Sequence, residues 1–214
     1  DPHLAAPFSL DRPEGKAANR QALSRELNLA ADGPLFGMVS RLAGQKGVNL
    51  VVAEIPRLVS LGARVCVLGT GQLEYHEALR DLADRYPGSV VAQIGFDEAL
   101  AHRIYAGSDF FLMPSEYEPC GLGQMIALRY GTLPVAARTG GLADTVFEVG
   151  TPGGNGFLFA RKDAAGFAAA LDRALALHAR PDEMRAVRKQ GMATDFSWIA
   201  RANEYLALYR ELTG

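Results

Sequence analysis

The sequence predicts an α/β fold: an open parallel sheet with helices on both faces. From residue 35 onward, short apolar runs alternate with segments of helical spacing, a pattern typical of βαβ units. The strand runs are nearly all apolar, as expected when helices cover both faces of a sheet. With 214 residues, 49% of them hydrophobic, the chain is long and apolar enough to bury a core of that kind.

The elements follow one another in a regular order. Residues 1–14 hold three prolines and no apolar period, which predicts a linker or an extended arm. Residues 15–29 then predict a helix with Ala17, Leu23 and Leu27 on its apolar side. The alternating strands are predicted at 35–39, 64–68, 90–94, 110–113 and 133–136, and the helices between them at 48–61, 73–86, 97–106 and 122–130.

The last third of the chain is richer in helix. A helix is predicted to begin within 142–149, and a last short strand to lie at 157–159. Further helices are predicted at 163–178, from Pro181, and at 198–212. We therefore expect one α/β domain over residues 15–197, followed by a terminal helix over 198–214.

Composition and charge exclude several classes of protein. The chain carries 22 Lys and Arg against 24 Asp and Glu, a balance unlike that of nucleic-acid-coating proteins. No apolar stretch has the length of a membrane span, and two cysteines cannot build a disulfide framework or a four-cysteine zinc site. No signal peptide opens the chain, so we expect a cytoplasmic protein without nucleic-acid or membrane partners. A start at Asp1 and not at Met fits a processed protein as well as a piece of a longer one.

The loop after the first predicted strand favours an anion. Ligands of open parallel sheets bind beyond the carboxyl ends of the strands. The segment Ser40-Arg41-Leu42-Ala43-Gly44-Gln45-Lys46-Gly47 places two cations and two glycines at such an end, just before a helix. It suits a phosphate, although an ordinary exposed loop would have the same residue types.

The loops after the second and third strands are weaker candidates. Gly69-Thr70-Gly71 begins like a dinucleotide fingerprint, but position 74 is Glu, which favours a plain tight turn. Asp97 is a good N-cap for the next helix. The ring of Phe96, which follows Gly95, could stack on a base or pack against that helix, and residue type alone favours packing.

The loop after the fourth strand holds the densest polar cluster, Pro114-Ser115-Glu116-Tyr117-Glu118-Pro119-Cys120-Gly121-Leu122-Gly123. Glu118 precedes a proline and is biased toward an extended conformation, which can direct its carboxylate into the cleft. The two glycines can present backbone N–H groups to a phosphate. A solvated acidic loop is the alternative for the segment, and a thiol nucleophile is a minor alternative for Cys120.

The remaining candidates are structural. The loop after the fifth strand, Arg138 to Gly141, adds another glycine pair at the same edge. His76 and His102 lie in helical segments without a second ligand at i+4, so no metal site is predicted. Cys66 lies within a strand and is expected to be buried. Residue types and spacing thus indicate a domain suited to a nucleotide diphosphate and leave the reaction open.

Five segments resemble a known family. They are the loop at 40–47, Ile94-Gly95-Phe96, the run from Pro114 to Leu122, Ala127-Leu128-Arg129-Tyr130-Gly131 and Thr139-Gly140-Gly141-Leu142-Ala143-Asp144-Thr145-Val146. Together they resemble the C-terminal half of bacterial glycogen synthases and plant starch synthases, which are retaining glycosyltransferases of the GT-B architecture. The resemblance covers nearly the whole chain.

The resemblance implies a Rossmann-like domain that binds ADP-glucose without a metal. Glucose would pass with retention to the non-reducing end of an α-1,4-glucan. A second, N-terminal domain would carry a K-T-G-G-L motif, which this sequence lacks. The tail helix would reach toward that missing domain. A GT-B enzyme that uses a UDP-sugar, or a nucleotide-binding module without turnover of its own, is the alternative.

The resemblance also implies roles for particular residues. Arg41 and Lys46 would hold the diphosphate and stabilise the leaving group, Glu118 would contact the donor glucose, and Phe96 would lie near the adenine. The other implied binding positions are Ser40, Gln45, Gly95, Cys120, Gly121, Leu122 and Gly123. Two positions depart from the family pattern: Ile126 stands where many GT-B enzymes have a second Glu, and Gly123 where this branch often has Thr.

Overall fold

The chain forms a single six-stranded parallel sheet. A computed structural model describes residues 1–213, except for the side chains of residues 200, 201 and 204. The strands are β1 (Leu35–Val39), β2 (Arg64–Gly69), β3 (Val90–Ile94), β4 (Phe110–Met113), β5 (Leu133–Ala137) and β6 (Phe157–Phe159). Their order in the sheet is β3-β2-β1-β4-β5-β6, with every neighbouring pair parallel. The predicted fold class is confirmed.

Helices connect the strands and extend the C-terminal end of the chain. They are α1 (Gly15–Glu26), α2 (Val48–Ser60), α3 (Leu73–Arg85), α4 (Glu98–Gly107), α5 (Gly123–Arg129), α6 (Gly140–Thr145), α7 (Ala164–His178), α8 (Pro181–Ala193) and α9 (Trp198–Thr213). Asp97 is the N-cap of α4, as predicted, and its carboxylate accepts a hydrogen bond from the N–H of Leu100 at 2.8 Å. No helix within residues 1–213 combines the length and the apolarity that a membrane crossing requires.

Two helices differ from the prediction by two or more residues. The helix α1 ends three residues early because Asn28 adopts the left-handed conformation at φ 53° and the N–H of Leu29 bonds back to the carbonyl of Ser24. The predicted start within 142–149 is wrong: α6 begins at Gly140, and it ends at Thr145, where the following segment forms other hydrogen bonds. The carbonyl of Phe147 accepts hydrogen bonds from Asn155 and Gly156.

The buried side of α1 also differs from the prediction. Ala17 is exposed, whereas Lys16, Asn19, Leu23 and Ser24 are buried. The polar members of this face are hydrogen-bonded: Asn19 donates to the carbonyl of Ala6 in the N-terminal arm at 2.7 Å, and the Nζ of Lys16 has three acceptors. A hydrophobicity pattern misses such a face because it scores polar residues as exposed.

Apolar clusters on both faces of the sheet hold the helices in place. The larger cluster joins the sheet to α2, α3 and α7 through residues such as Ile55, Leu79 and Phe167. On the opposite face, a second cluster joins the sheet to α1 and α4 through Leu23 and Ile104. With both faces covered, the strand edges and their loops are the parts of the sheet left for a ligand.

The strand order places one crevice at the carboxyl edge of the sheet. From β1 the chain proceeds outward through β2 and β3, whereas from β4 it proceeds outward through β5 and β6. The loops that follow β1 and β4 therefore leave two neighbouring strands and lead away in opposite directions. Such a switch point is where open α/β sheets bind ligands.

Candidate active site

A cavity of about 180 Å³ lies at this switch point, between the loops that follow β1 and β4. Most of the residues implied by the resemblance line it, although they come from two distant segments of the chain. Its lining consists of Met38, Val39, Ser40, Arg41, Lys46, Tyr105, Leu112, Met113, Ser115, Glu118, Gly121, Leu122 and Gly123.

An ion pair bridges the two loops across the cavity. The Nζ of Lys46 lies 2.6 Å from Oε2 of Glu118, and the hydroxyl of Ser115 donates to the same oxygen at 3.2 Å. The side chains of Lys46 and Glu118 are only 21% and 11% exposed, so the pair is screened little by solvent. Glu118 therefore lies inside the cleft and not on a solvated surface loop.

The loop after β1 is shaped so that Lys46 can reach Glu118. A short 3₁₀ turn, Gly44–Lys46, ends at Gly47, whose φ of 68° lies in the left-handed region. A Cβ at Gly47 would overlap the carbonyl oxygen of Pro114, so only glycine allows this approach of the two loops. The N–H of Glu116 then donates to the carbonyl of Gln45 at 2.9 Å and holds the loops together.

The loop after β4 is supported from its other side by α6. The N–H of Gly141 donates to the carbonyl of Glu118 at 3.0 Å. A Cβ at Gly141 would overlap the carbonyl oxygen of Cys120, so the glycine pair of the β5 loop serves this close packing. The backbone around Glu118 is thus held between the β1 loop and α6.

The cavity also offers hydrogen-bond donors without acceptors. Arg41 is exposed, and the only hydrogen bond of its guanidinium group among the described residues is a 3.5 Å contact from Nη2 to Oε1 of Gln45. Within residues 1–213 the N–H groups of Gly121, Leu122 and Gly123 donate no hydrogen bond. A guanidinium group and free N–H groups around one cavity are complementary to an anion.

Four of the implied positions lie outside the cavity lining: Gln45, Gly95, Phe96 and Cys120. The ring of Phe96 is 90% exposed, so the interpretation that it packs against the next helix is wrong. Phe96 follows β3, and one strand separates β3 from β1. The strands β3 and β1 are therefore about 10 Å apart across the sheet. Gln45 lies in the β1 loop, where its Nε2 contacts the carbonyl of Tyr117 at 3.4 Å.

The weaker motifs have structural roles. The segment after β2 pairs with the loop after β1: Leu42 donates to Thr70, and Gln72 donates to Leu42, both at 2.8 Å. The Nε2 of His76 accepts the N–H of Gly71, and His102 contacts Asp1 in the arm. In the described part of the chain, no three His, Cys, Asp or Glu side chains form a group that could hold a metal ion.

The two thiols differ in their surroundings. Cys66 is buried in β2, as predicted, and burial raises the pKa of its thiol to about 12. Cys120 is exposed beside the cavity, and its Sγ contacts only the carbonyl of Gly121, at 3.7 Å, among the described residues. No basic side chain in the described part of the chain is hydrogen-bonded to it, which leaves the thiol-nucleophile alternative without support.

Sequence reasoning missed three polar residues at the site. The hydroxyl of Ser115 donates to the carboxylate of Glu118 and orients it. The three-residue spacing between Ser115 and Glu118 is a sequence signal for this contact. Tyr105 comes from the end of α4, and burial raises the pKa of its phenol to about 12, so it stays protonated at neutral pH. Gln124 is fully buried behind the loop after β4. Nothing in the local sequence marks these last two positions.

A sheet of this order, with a cavity of this kind at its switch point, defines a Rossmann-like domain of the type found in the C-terminal half of GT-B glycosyltransferases. Comparison with known sequences gives the family. Residues 33–176 match the family described as "Glycosyl transferases group 1", and the chain belongs to that family.

Similar proteins agree with the resemblance. The chain is 50% identical over its whole length to a glycogen synthase from Alkalilimnicola ehrlichii, of which it covers 46%. It is 48% identical over 99% of its length to a glycogen synthase from Syntrophotalea carbinolica, of which it covers 44%. The catalytic domain of starch synthase IV from Arabidopsis thaliana, solved with ADP and acarbose, matches 99% of this chain and 45% of that one, with a TM-score of 0.90 and 37% identity. The chain therefore spans about half the length of the curated relatives it matches.

Proposed function

We propose that this chain is the donor-binding half of a glycogen synthase that transfers glucose from ADP-glucose to the non-reducing end of an α-1,4-glucan, with retention. The observation that carries the proposal is the switch-point cavity, where Arg41, Lys46 and free N–H groups surround Glu118. The glycogen synthases that are 50% and 48% identical to the chain support it. The starch synthase structure that contains ADP supports the choice of nucleotide.

The chemistry follows from where charge develops. As the bond between the anomeric carbon and the ADP oxygen breaks, negative charge builds up on the diphosphate and positive charge on the sugar. Arg41, Lys46 and the N–H groups of Gly121 to Gly123 would stabilise the diphosphate, and such preorganised donors are the largest electrostatic help an enzyme can offer. Side chains supply the positive charge in this scheme, so it includes no metal.

The ion pair gives each charged group a partner before the donor arrives. Lys46 and Glu118 neutralise one another at 2.6 Å in the described structure. A bound donor would give Lys46 a phosphate and Glu118 a sugar hydroxyl as new partners. The exchange gives Lys46 a new anionic partner and keeps the Glu118 carboxylate hydrogen-bonded.

The nucleoside would extend away from this cavity along the edge of the sheet. Phe96 lies at the end of β3 with its ring exposed, where it can stack on adenine. Ser40 lines the cavity, Gln45 and Cys120 lie in the loops after β1 and β4, and Gly95 directly precedes Phe96; these residues would complete the donor site.

The acceptor and the remaining cleft wall would come from the other half of the enzyme. Trp198 and Ile199 at the start of α9 are 82% and 79% exposed, and Leu212 near its end is 73% exposed. We expect this apolar helix to pack against the N-terminal GT-B domain. We place the enzyme in the cytoplasm, where unpaired cysteines such as Cys66 and Cys120 are the norm.

Titration calorimetry of this chain with ADP and with UDP tests the donor. ADP is expected to bind more tightly than UDP. Tighter binding of UDP would instead favour a glycosyltransferase that uses a UDP-sugar, and no binding of either nucleotide would contradict a donor site.

Turnover requires the chain to be joined to a partner half, such as the N-terminal half of the Alkalilimnicola ehrlichii relative. The chain alone is expected to bind ADP without elongating glycogen, and the joined protein to elongate it. In the joined protein, Glu118→Gln should lower kcat far more than ADP affinity. The matched control is Glu116→Gln, two residues away and exposed, which should leave kcat unchanged. Elongation by the chain alone at the rate of a joined protein would contradict the half-enzyme proposal.

A further inference from the structure

A buried amide lies directly behind the loop that carries the free N–H groups. Gln124, in the first turn of α5, has no exposed surface. Its Nε2, which carries two hydrogens, has three acceptors within hydrogen-bond distance: the carbonyl of Cys120 at 3.1 Å, the carbonyl of Gly121 at 2.9 Å and the hydroxyl of Thr145 at 3.1 Å. Thr145, at the end of α6, in turn donates to the carbonyl of Gly141 at 2.5 Å. One hydrogen-bonded chain therefore links α6 to the loop after β4.

These bonds determine the direction of two peptide planes. In a trans peptide the C=O and the following N–H point to opposite sides. Holding the carbonyl of Cys120 toward Gln124 turns the N–H of Gly121 away from it, and holding the carbonyl of Gly121 does the same for the N–H of Leu122. Gly121 and Leu122 line the cavity, and their N–H groups donate no hydrogen bond within residues 1–213.

The loop needs such a restraint because its own backbone is permissive. Gly121 has a φ of 74°, and glycine exchanges between positive and negative φ at little cost. Without an external bond, the peptides on either side of Gly121 could rotate and direct their carbonyl oxygens into the cavity. A carbonyl oxygen there would repel an anion.

The stability of the fold does not account for this amide. Oε1 of Gln124 is buried and has no hydrogen-bond partner among the described residues. A buried acceptor without a donor is destabilising, and an apolar side chain of similar size would not have that penalty. The favourable contacts of Gln124 therefore all come from the donor side of its amide.

We propose that Gln124, held in place by Thr145, is a positioning residue that directs the N–H groups of Gly121 and Leu122 toward the terminal phosphates of a nucleoside diphosphate. The inference rests on the proposed donor site and adds the residues that orient it. It assigns Gln124 no contact with the substrate.

Gln124→Met tests the inference in this chain, with Gln21→Met on the exposed side of α1 as the matched control. Loss of donor orientation should raise the Kd for ADP and for pyrophosphate about tenfold, while the Kd for adenosine stays unchanged. The denaturation midpoint should change little, since the substitution also removes the unpaired acceptor. The amide NMR signal of Gly121 should shift on addition of pyrophosphate in the wild type and much less in Gln124→Met.

Thr145 provides a second, milder test that does not depend on whether Gln124→Met folds. Thr145→Val should raise the Kd for ADP about threefold, and Thr145→Ser, which keeps the hydroxyl, should restore it. Unchanged ADP affinity in Gln124→Met or in Thr145→Val overturns the inference, and so does an equal loss of affinity for ADP and adenosine. A wild-type chain that binds no ADP overturns the proposed function as well.

Discussion

Charged side chains gather at both ends of the strands: at the amino edge, where the strands begin, and at the carboxyl edge, where they end. The charges at these two edges have different partners. At the amino edge, Asp109 immediately precedes β4 and forms an ion pair with Arg188. It also accepts the N–H of Leu35 at 2.8 Å, with Arg20 and His178 each 3.8 Å away. Burial by itself would raise the pKa of Asp109, but Arg188, Arg20, the N–H of Leu35 and His178 together outweigh it and hold the pKa below its usual value. The carboxylate of Asp109 is thus compensated within the chain, although Nη1 of Arg20 and Nε of Arg188 have no hydrogen-bond partner among the described residues.

At the same edge, the ammonium group of Lys16 has a hydrogen-bond acceptor for each of its three hydrogens. Its Nζ donates to the carbonyls of Ala106 and Tyr130 at 3.1 and 2.8 Å, and to the hydroxyl of Thr132 at 2.8 Å. The two carbonyls belong to the C-terminal ends of α4 and α5, where a cation complements the helix dipole. Burial lowers the pKa of Lys16 well below its usual value. Its donors are all used, and none is left for a ligand.

At the carboxyl edge, by contrast, free donors line the cavity itself. Arg41 is exposed with one long contact, and the N–H groups of Gly121 and Leu122 have no acceptor in the described chain. Cavity volume alone would favour the amino edge as the binding site, since its cavity measures about 680 Å³ and the cavity at the carboxyl edge about 180 Å³. The comparison teaches that cavity volume alone does not mark the proposed donor site. What distinguishes the smaller cavity is an exposed arginine beside free backbone N–H groups, whereas the arginine nitrogens without a hydrogen-bond partner at the amino edge are buried.

The largest expected effect is on stability, at the amino edge. Asp109→Asn should lower the free energy of unfolding by about 3 kcal/mol, because Arg188 and Arg20 lose their partner while largely buried. Urea unfolding measures this loss, and ADP affinity should not change. A variant as stable as the wild type would contradict the structural role of this edge.

The same variant should change the pH dependence of stability. Because the folded pKa of Asp109 lies below its unfolded value of about 4, its contribution is present above pH 4 and lost as the pH falls through the folded pKa. The stability difference between wild type and Asp109→Asn should therefore shrink in acid below about pH 4. A difference that grows there would show that the sign is wrong.

The next effect is on binding, at the carboxyl edge. Arg41→Ala should weaken ADP binding by about 1.5–3 kcal/mol, or roughly 10- to 100-fold in Kd, because a charge-assisted contact is lost. The free energy of unfolding should stay within about 0.5 kcal/mol of the wild type. Arg80→Ala, at an exposed position of α3, is the matched control and should change neither quantity. A large loss of stability in Arg41→Ala would remove the distinction between the two edges.

The smallest effect concerns the base. Phe96→Ala should weaken ADP binding by about 1 kcal/mol through lost stacking, and Phe96→Tyr should retain it. Pyrophosphate, which has no base, should bind both variants like the wild type in calorimetry. Weaker pyrophosphate binding by Phe96→Ala would mean that the ring supports the phosphate loops and does not stack on a base.

The sequence allowed the fold to be predicted almost element by element, but not every face of every element. Each predicted strand is present, since buried parallel strands carry a local apolar signal. The buried side of α1 was missed because Lys16 and Asn19 are buried by distant polar partners. The exposure of Phe96 was likewise missed, since whether a loop ring packs or projects depends on the path of the surrounding backbone.

The sequence by itself determined the fold class, the order of the elements and the loops in which cations, glycines and Glu118 occur. These properties are local, written in composition and spacing over a few residues. Only the tertiary structure decided that Lys46 contacts Glu118, 72 residues further along the chain. It also decided that Gln124 links α6 to the loop after β4 and orients that loop. Such contacts depend on which strands are neighbours in the sheet, and that order arises when the core closes on both faces at once.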